Sequence, residues 1–385
     1  MPTLSFVAGD PSGDLHAAHL IDALKTRVGQ LTCTGLGGSA MRSAGVEVYD
    51  DLTMAAAIGP FDAAKHLGRL RRAARLLEER WRAAKPDLVV LVDFGDFNLP
   101  VIAPMAKRLG LPIAYYISPQ VWAWGRWRLR YVRRYVDRMI VFFPFEEVLY
   151  RREGVPVTWV GHPLVELTRP SGSREDAFAR VGLNPWRRVV GLLPGSREQE
   201  VTRHLPLMLA AAQRLAWRMP GLQFLLPKAP TVSRQQVERC LRRAPLDVRI
   251  VEGPTTDALQ LMEAAAVASG TATLETALCE VPMAVVYRTS WPTYLVARLV
   301  VRIPDIALVN VVAGERIVPE LIQHHATPGR LSDTLLELLR DETLRASMVE
   351  RLRSLKSRLG PPGAADRAAS AILELLDGER IASRV

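Results

Sequence analysis

Cysteine is scarce in this sequence, and the three cysteines that occur are far apart. Cys33, Cys240 and Cys279 show no Cys-x-x-Cys spacing. Their scarcity argues against a disulfide framework and against a zinc site, and it fits a reducing compartment such as the cytosol. The sequence therefore predicts a cytoplasmic protein without a structural disulfide and without a bound metal.

Long hydrophobic runs are also missing. The longest ones, such as Leu88–Val92 and Met139–Phe143, have the length of strands and are too short to cross a bilayer. The sequence does not open with a basic segment followed by an apolar one, so we expect no signal peptide. Both observations predict that the chain is not an integral membrane protein.

Acidic residues are outnumbered, with 40 Asp and Glu against 50 Lys and Arg, which gives a net charge of +10. The excess is concentrated in Arg69–Arg82 and Arg126–Arg138. A basic surface attracts polyanions, either nucleic acid or an anionic lipid leaflet. A genome of high GC content, which encodes arginine where others encode lysine, would give the same composition without any such partner, so charge alone leaves these alternatives open.

Two phosphate-binding motifs are absent as well. No segment matches GxxxxGK[ST] or GxGxxG. These absences disfavour a P-loop ATPase and a standard dinucleotide enzyme.

What the sequence does contain is an alternation of short apolar strands with longer helical segments, which indicates an α/β protein with parallel sheets. The predicted strands of the first half are Leu4–Ala8, Leu31–Gly35, Leu88–Val92, Ile113–Ile117, Arg138–Phe142 and Val157–Val160. The predicted strands of the second half are Val189–Leu193, Gln223–Leu226, Val248–Val251, Ala265–Ala268 and Met283–Tyr287.

A polar segment at 168–188 with two prolines separates the two series. With 385 residues the chain is long enough for two lobes of about 150–200 residues each. We predict two Rossmann-like, doubly wound lobes at 1–168 and 169–360 that face each other across a cleft. We expect the last segment, 361–385, to be a helix that packs back on the first lobe.

Two strand-to-helix turns in the second lobe are candidates for binding an anion. The first contains Gly195, Ser196 and Arg197, where backbone N–H groups and a guanidinium can reach phosphate oxygens. The second contains Ser269, Gly270 and Thr271, with Glu275 one turn into the following helix. The second turn suits a pyrophosphate and Glu275 suits ribose hydroxyls, although a capping box explains the same residue types.

The first lobe carries the candidate catalytic carboxylates. Asp93, Asp96 and Asn98 follow a buried strand, where a carboxylate can remove a proton from an attacking hydroxyl. Either acid alone is better explained as a cap of the next helix. The glycine-containing turn at 9–14 also follows a strand, and it raises the question of whether it holds a ligand or only its own backbone.

Further candidates are spread along the chain. Trp122, Trp124 and Trp127 lie within six residues and could line a sugar or acyl site, form a membrane-facing rim, or pack in the core. His162 lies where the chain leaves the first lobe. Asn310 and Glu320, with Gln323, bring polar groups into an apolar stretch and could face a nucleotide.

Taken together, these motifs resemble one family, the bacterial lipid-A-disaccharide synthases. The similar segments appear in the same order over about residues 4–325: VAGDPSGD, DFGDFN, YYISPQVWAW, GHPLVE, LLPGSREQEV, ASGTATLE and NVVAGERIVPELIQ. The sequence departs from the family pattern at Asp10-Pro11, at Gly95 in place of a proline, and at Val309 in place of a proline.

The resemblance implies an inverting GT-B glycosyltransferase that needs no metal or other cofactor. Such an enzyme transfers 2,3-diacylglucosamine from UDP-2,3-diacylglucosamine to 2,3-diacylglucosamine 1-phosphate (lipid X). The products are the β(1→6) lipid A disaccharide 1-phosphate and UDP. It would work in the cytoplasm, peripherally associated with the inner membrane, and it leaves a homodimer open.

Site roles follow from the resemblance. Asp96 is the implied general base, with Asp93 not separable from it by sequence. The implied substrate contacts are Ser12, Gly13, Asp14, Asn98, Trp122 and His162. The implied UDP contacts are Gly195, Ser196, Arg197, Ser269, Gly270, Thr271, Glu275, Asn310 and Glu320.

The same resemblance gives the basic segments a function. Arg69–Arg82 would hold the enzyme against an anionic inner leaflet, and apolar side chains of Leu52–Phe61 would dip among acyl chains. Two alternatives stay open. One is another GT-B enzyme, such as a UDP-GlcNAc 2-epimerase or an undecaprenyl-linked GlcNAc transferase. The other, motivated only by charge, is a nucleic-acid-binding protein; no recognised nucleic-acid motif supports it, and we expect no nucleic-acid partner.

Overall fold

The computed structural model of the chain describes residues 1–53, 63–300 and 303–382. It divides the chain into two compact units. Unit 1 contains Met1–Pro163 together with the chain from Pro361 onward, and unit 2 is Leu164–Gly360. The chain thus passes into unit 2 between Pro163 and Leu164, a few residues before the predicted boundary at 168/169.

Unit 1 is built on a parallel sheet of seven strands in the order β3-β2-β1-β4-β5-β6-β7. The central strands are continuous apolar runs because helices cover both faces of the sheet. The strands are β1 (Thr3–Ala8), β2 (Thr32–Gly37), β3 (Glu47–Asp51), β4 (Leu88–Val92), β5 (Ile113–Tyr116), β6 (Arg138–Val141) and β7 (Val157–Trp159).

The helices of unit 1 alternate with its strands. The first one begins where Asp10 accepts a hydrogen bond from the Gly13 amide at 2.7 Å, with Pro11 at the first position, and it ends at Gly29 in a positive-φ conformation. The helices that precede unit 2 are α1 (Pro11–Val28), α2 (Ser39–Ser43), α3 (Ala63–Ala83), α4 (Gly95–Phe97), α5 (Ala103–Arg108), α6 (Leu129–Tyr135) and α7 (Pro144–Arg152).

Unit 2 repeats the design with a parallel sheet of six strands in the order β10-β9-β8-β11-β12-β13. The strands are β8 (Val189–Leu193), β9 (Gln223–Pro227), β10 (Val248–Val251), β11 (Ala264–Ala268), β12 (Met283–Tyr287) and β13 (Glu320–Ile322). Two parallel sheets with alternating helices confirm the predicted α/β class.

Ten helices of unit 2 lie between and after these strands in the part of the chain that is described. They are α8 (Leu164–Leu167), α9 (Arg174–Val181), α10 (Glu198–Arg218), α11 (Arg234–Leu241), α12 (Thr255–Leu259), α13 (Thr271–Leu278), α14 (Trp291–Val300), α15 (Leu308–Ala313), α16 (Pro328–Arg340) and α17 (Glu342–Arg358).

The last helix, α18 (Ala364–Ala382), returns to unit 1. Ala368, Ile372 and Leu376 are buried in the same core as the residues of α1 and β1. At its start, the Arg367 guanidinium donates to the Val160 carbonyl at 2.6 and 2.9 Å. Over the described ranges, no helix has both the length and the apolar composition needed to cross a membrane.

Candidate active site

In a parallel α/β sheet, ligands bind at the edge formed by the carboxyl ends of the strands. The candidate residues of unit 1 follow β1, β4, β5 and β7 at this edge, and those of unit 2 follow β8, β11, β12 and β13, except for Glu320, which is the first residue of β13.

The turn after β1 mostly holds its own backbone. Asp14 is buried, and its two carboxylate oxygens accept hydrogen bonds from the amides of Gly38 and Ala40 at 2.7 and 2.9 Å. Asp14 therefore caps the N-terminus of α2. Gly13 is buried as well, whereas Ser12 is exposed and is the side chain of this turn that can reach a ligand.

The turn after β4 is strained. Asp93 and Phe94 have φ values of 42° and 49°, a left-handed conformation that is costly for residues other than glycine. The Asp93 carbonyl is fixed by the Tyr115 hydroxyl at 2.5 Å and by the Asn98 amide at 2.9 Å. The Phe94 ring lies against Gly9, where a Cβ would be 2.1 Å from it. This packing joins the turns after β1 and β4.

Asn98 stabilises this turn from within the core. Its side chain is fully buried, and its amide nitrogen lies near three backbone carbonyls, those of Val7, Val92 and Asp93. Gly95, the departure from the family pattern, has a packing reason, since a Cβ there would lie 2.7 Å from the Pro119 Cβ.

Asp96 and Asp93 lie in different electrostatic surroundings. The Asp96 side chain is 68% exposed and pairs with the guanidinium of Arg128, which is almost completely buried. Burial, followed by the negative charge of Asp10, raises the pKa of the Asp93 carboxyl to about 7. The Phe94 amide, Arg128 and the repulsion of Asp96 are smaller influences on that pKa, the first two lowering it.

Arg128 is held in place by the tryptophan-rich segment. Its guanidinium carbon lies 3.9 Å from the centre of the Trp124 ring and 5.1 Å from that of Trp127. Stacking on aromatic rings stabilises a buried cation. Trp124 and Trp127 thus support the arginine that contacts Asp96, a relationship that the sequence did not reveal.

Trp122 is held by two residues of α7. Its indole nitrogen donates to Glu146 at 3.1 Å, and its ring packs edge-on against Phe145. Burial raises the pKa of Glu146 to about 8. Trp122 itself is only half-buried, so one part of its ring remains accessible.

His162 lies in an aromatic environment at the end of unit 1's first segment. Its ring centre is 5.3 Å from that of Phe142 and 5.2 Å from that of Phe143. Burial, together with the nearby His16, lowers the pKa of His162 to about 3. The same causes of burial and a neighbouring histidine lower the pKa of His16 to about 4. Both rings are therefore neutral at physiological pH.

The predicted membrane segment requires one correction. Leu52, the first residue of Leu52–Phe61, is fully buried in the core of unit 1, because it packs beneath α3, and it cannot reach acyl chains. Residues 54–61 lie outside the described part of the chain. In α3 itself, Leu77 and Trp81 face the core, while arginines such as Arg71 and Arg75 are exposed.

In unit 2, the turn after β8 is capped by its own helix. A carboxylate oxygen of Glu200 accepts the amides of Ser196 at 3.0 Å and Arg197 at 3.2 Å. Gly195 has φ 117°, and a Cβ there would meet that oxygen at 2.3 Å. The two amides are thus already bonded, and the group that this turn offers to an anion is the Arg197 guanidinium, 72% exposed.

The turn after β11 is open by contrast. Gly270 stands at the N-cap of α13 with φ 153°, and within the described ranges no N-cap side chain accepts a hydrogen bond from the first amides of this helix. A Cβ at Gly270 would meet nothing within 4 Å, and Thr271 is exposed. Free N–H groups at a helix N-terminus attract anions.

Glu275 is the carboxylate of α13 that lies one turn further on. It is half-buried, and burial raises its pKa. Across the described residues, no hydrogen bond or ion pair engages its carboxylate. A desolvated acceptor without a protein partner is suited to ligand hydroxyl groups.

Asn310 and Glu320 are bound to each other rather than exposed to a ligand. The Asn310 amide donates to Glu320 at 2.8 Å and accepts from the amides of Ile317 and Val318 at 2.9 and 3.0 Å. Glu320 also accepts the amides of Ile306 and Ala307, both at 3.0 Å.

This network supports the open turn. The carbonyl of Ile306, whose amide Glu320 holds, accepts a hydrogen bond from the Ser269 hydroxyl at 3.0 Å. Asn310 and Glu320 therefore position the turn after β11 through Ser269.

His204 is a residue that the sequence analysis missed. It is buried in α10, with Nδ1 3.0 Å from the Pro194 carbonyl and Nε2 accepting the Arg288 amide at 3.0 Å. Burial lowers its pKa, and the acceptor role of Nε2 requires the neutral ring. His204 joins the turns after β8 and β12. A lone histidine in a helix gives no sequence signal for this role.

The chain is similar over nearly its whole length to proteins of known family. The family model for lipid-A-disaccharide synthetase matches residues 4–371. A lipid-A-disaccharide synthase from Syntrophus aciditrophicus (strain SB) is 44% identical over 371 residues, covering 96% of this chain and 97% of that protein. One from Myxococcus xanthus (strain DK1622) is 41% identical over 381 residues, covering 99% of both.

Solved structures with the same fold are more distant in sequence. A UDP co-structure of S. aureus MnaA has a TM-score of 0.67 at 13% identity and covers 98% of this chain and 97% of that one. Anabaena Alr3699/HepE in complex with UDP-glucose has a TM-score of 0.57 at 15% identity, with coverage of 97% and 99%. At these identities the likeness establishes the fold.

Proposed function

Since this chain belongs to the lipid-A-disaccharide synthase family, and is thereby a disaccharide-forming glycosyltransferase of lipid A biosynthesis, we propose its substrates and the roles of its residues. The donor is UDP-2,3-diacylglucosamine and the acceptor is 2,3-diacylglucosamine 1-phosphate. The acceptor's primary hydroxyl attacks the anomeric carbon, the bond to UDP breaks, and a β(1→6) linkage forms with inversion.

The observation that carries the donor assignment is the open N-terminus of α13. The diphosphate of UDP binds at Gly270 and Thr271, where the amide groups and the helix dipole stabilise negative charge. Glu275, one turn further, accepts hydrogen bonds from the ribose hydroxyls. Departure of UDP increases the negative charge on the phosphate, and this arrangement stabilises that charge.

Arg197 provides a second contribution to phosphate binding. Because Glu200 occupies the amides of its turn, the contact is made by the guanidinium, which donates to phosphate oxygens. The acidic residues nearest to Arg197 in sequence, Glu198 and Glu200, lie in the first turn of α10, where the helix dipole favours negative charge.

For the acceptor, Asp96 is the proposed general base. Its carboxylate is exposed and held by Arg128, so that it presents one face to a hydroxyl. The proton of the acceptor hydroxyl passes to Asp96 as that oxygen attacks, and the electron pair of the broken bond leaves with UDP. Ser12, Trp122 and His162 are the proposed substrate contacts, with Asp14 and Asn98 shaping the turns behind them.

We further propose that the enzyme works at the surface of an anionic membrane, because both substrates carry acyl chains. The supporting observation is the division of α3 into a buried apolar face and an exposed face that carries Arg71, Arg72 and Arg75. Arginines near an anionic leaflet contribute about 1 kcal/mol each to binding.

The test is release of UDP from UDP-2,3-diacylglucosamine in detergent, with and without the monosaccharide 1-phosphate acceptor. We expect acceptor-dependent release by the wild type and strong loss in Arg197→Ala and Glu275→Gln. Arg243→Ala, which removes an exposed arginine elsewhere in unit 2, is the matched control and should behave as wild type. Release that does not depend on the acceptor would overturn the substrate assignment.

A further inference from the structure

One helix of unit 2 exposes apolar side chains that neither the fold nor the proposed chemistry uses. In α14, Trp291 is 59% exposed, Leu295 58% and Val296 60%. Large apolar residues exposed together in a soluble unit mark a surface that contacts something else. The helix follows β12 at the carboxyl edge of the sheet, the edge that carries the open turn at Gly270.

Trp291 and Leu295 lie in a stripe with the half-buried Tyr294 and the exposed Arg298, whereas Val296 lies on another face of the helix. Trp291, Tyr294, Leu295 and Arg298 stand at i, i+3, i+4 and i+7, which places them on one face of a helix. The rings of Trp291 and Tyr294 contact edge-on, with centres 5.7 Å apart. The stripe is therefore aromatic at its N-terminal end, aliphatic in the middle and cationic at its C-terminal end.

The sequence segment that contains α14 carries charge of one sign. Residues 281–304 contain Arg288, Arg298 and Arg302 and no acidic residue. Tryptophan and tyrosine prefer the membrane–water interface, and an arginine at the end of a helix can extend to lipid phosphates. At ten residues the helix is too short to cross a bilayer, so it would lie along its surface.

We propose that α14 is a membrane-contact element that lies on an anionic phospholipid surface, with Trp291 and Leu295 among the headgroups and upper acyl chains. This inference deepens the proposed membrane association and rests on it for its biological meaning. It adds a lipid contact in unit 2 to the basic face of α3 in unit 1.

The experiment is flotation of the full-length protein with vesicles of phosphatidylcholine alone or mixed with phosphatidylglycerol. The variant Trp291→Ser/Leu295→Ser/Val296→Ser should lose roughly tenfold in partitioning onto the mixed vesicles, because it removes the apolar side chains that α14 exposes, two of them in the stripe and one beside it. Arg298→Gln should lose about fivefold on mixed vesicles and nothing on phosphatidylcholine.

A matched control removes similar exposed apolar groups elsewhere in unit 2. Trp186 is 93% exposed, Trp217 85% and Leu344 36%. The variant Trp186→Ser/Trp217→Ser/Leu344→Ser should partition as the wild type does. Thermal denaturation of all variants checks that each one is folded.

Three results would overturn the proposal. The first is vesicle binding by the α14 triple variant that equals the wild type. The second is a dimer in light scattering that the triple variant dissociates without losing vesicle binding, which would make α14 a contact between copies. The third is unchanged vesicle binding with a raised KM for acylated donor in detergent, which would make α14 an acyl-chain site.

The detergent assay separates this inference from the proposed function. If the wild type releases no UDP in detergent, the substrate assignment fails, while the vesicle experiment still decides whether α14 contacts lipid.

Discussion

The buried guanidinium of Arg128 stacks on Trp124 and hydrogen-bonds the exposed carboxylate of Asp96. The Arg128 guanidinium is fixed by its surroundings and the Asp96 carboxylate is accessible to solvent. Arg128 therefore holds Asp96 in a defined position at the surface. An arginine suits this role better than a lysine, because its planar group stacks on an aromatic ring and donates in a fixed geometry.

Replacing Arg128 tests whether it positions Asp96. In Arg128→Lys we expect kcat to fall roughly 100-fold, since a displacement of about 1 Å in a catalytic group has that effect. UDP affinity, measured by calorimetry, should stay unchanged because the proposed UDP contacts lie in unit 2. The control is Arg130→Lys, whose guanidinium lies over the Tyr131 ring and pairs with no carboxylate in the described chain. A variant Arg128→Lys with wild-type kcat would contradict the positioning role.

Asparagine substitutions separate Asp96 from Asp93. Asp96→Asn should lower kcat by about 10²–10⁴-fold, the usual contribution of a general base. Asp93→Asn should retain most activity, because asparagine tolerates the left-handed conformation and resembles the protonated carboxyl. The opposite pattern, with an acidic limb near pH 7 in the wild-type kcat profile, would assign the base to Asp93.

Asp93 also predicts how stability depends on pH. Its pKa rises on folding from 3.8 to about 7, so the folded protein binds the extra proton between these values. The stability that Asp93 contributes is complete below about pH 4 and is lost as the pH rises to about 7. Asp93→Asn should therefore denature at a higher temperature than the wild type at pH 8 and at the same temperature at pH 4.

The lowered pKa values of three histidines predict that the stability of the fold decreases as the pH becomes acidic. Folding lowers the pKa of His16 to about 4, that of His162 to about 3, and that of His204 below its usual 6.5. The unfolded chain therefore binds more protons below pH 6.5, and stability falls as the pH decreases from there toward 3.

The measurement is the thermal denaturation midpoint between pH 7 and pH 4. His162→Gln should flatten its decrease, and His324→Gln, which changes an exposed histidine, should leave it unchanged. An equal slope in wild type and His162→Gln would show that the buried ring is not responsible.

Asn310 should contribute more to the free energy of unfolding than its place among the implied UDP contacts suggests. Asn310→Ala leaves the buried amides of Ile317 and Val318 without their acceptor and removes one of the three donors to the Glu320 carboxylate. Each unsatisfied buried group costs about 1–3 kcal/mol, so urea denaturation should show a loss of several kcal/mol. Thr271→Ala, at the exposed turn, should lose UDP affinity with stability intact. Loss of UDP affinity in Asn310→Ala without loss of stability would instead make Asn310 a direct ligand contact.

Most strands whose bounds the sequence predicted are buried on both faces, and the edge strand β10 (Val248–Val251) was predicted as well, because its sequence VRIV is rich in β-branched residues. The bounds of β4, β8 and β12 agree with the prediction because a strand covered by helices is a continuous apolar run. The strands it missed, β3 and β13, are short edge strands with sequences EVYDD and ELI. Edge strands carry polar residues that periodicity assigns to loops.

The candidate site was predictable in position and only partly in detail. Motif resemblance brought attention to Asp14, whose carboxylate binds amides 24 to 27 residues away. It did the same for Asn310 and Glu320, which bond each other across a loop. Sequence spacing cannot show whether a polar side chain turns inward to its own backbone or outward to a ligand. For that reason Arg128 and His204, whose partners are distant in sequence, were not predicted.

The return of α18 to unit 1 has a consequence for synthesis on the ribosome. Ala368, Ile372 and Leu376 complete a core that β1 and α1 begin, so the first-made part of the chain lacks its last packing residues until nearly all of the protein has been translated. Unit 2, by contrast, is continuous in sequence and has all its strands by Ile322. Unit 2, although it is synthesised later, can therefore finish folding before unit 1. A chain that ends at Gly360 would lack α18 and would leave an apolar groove exposed along α1.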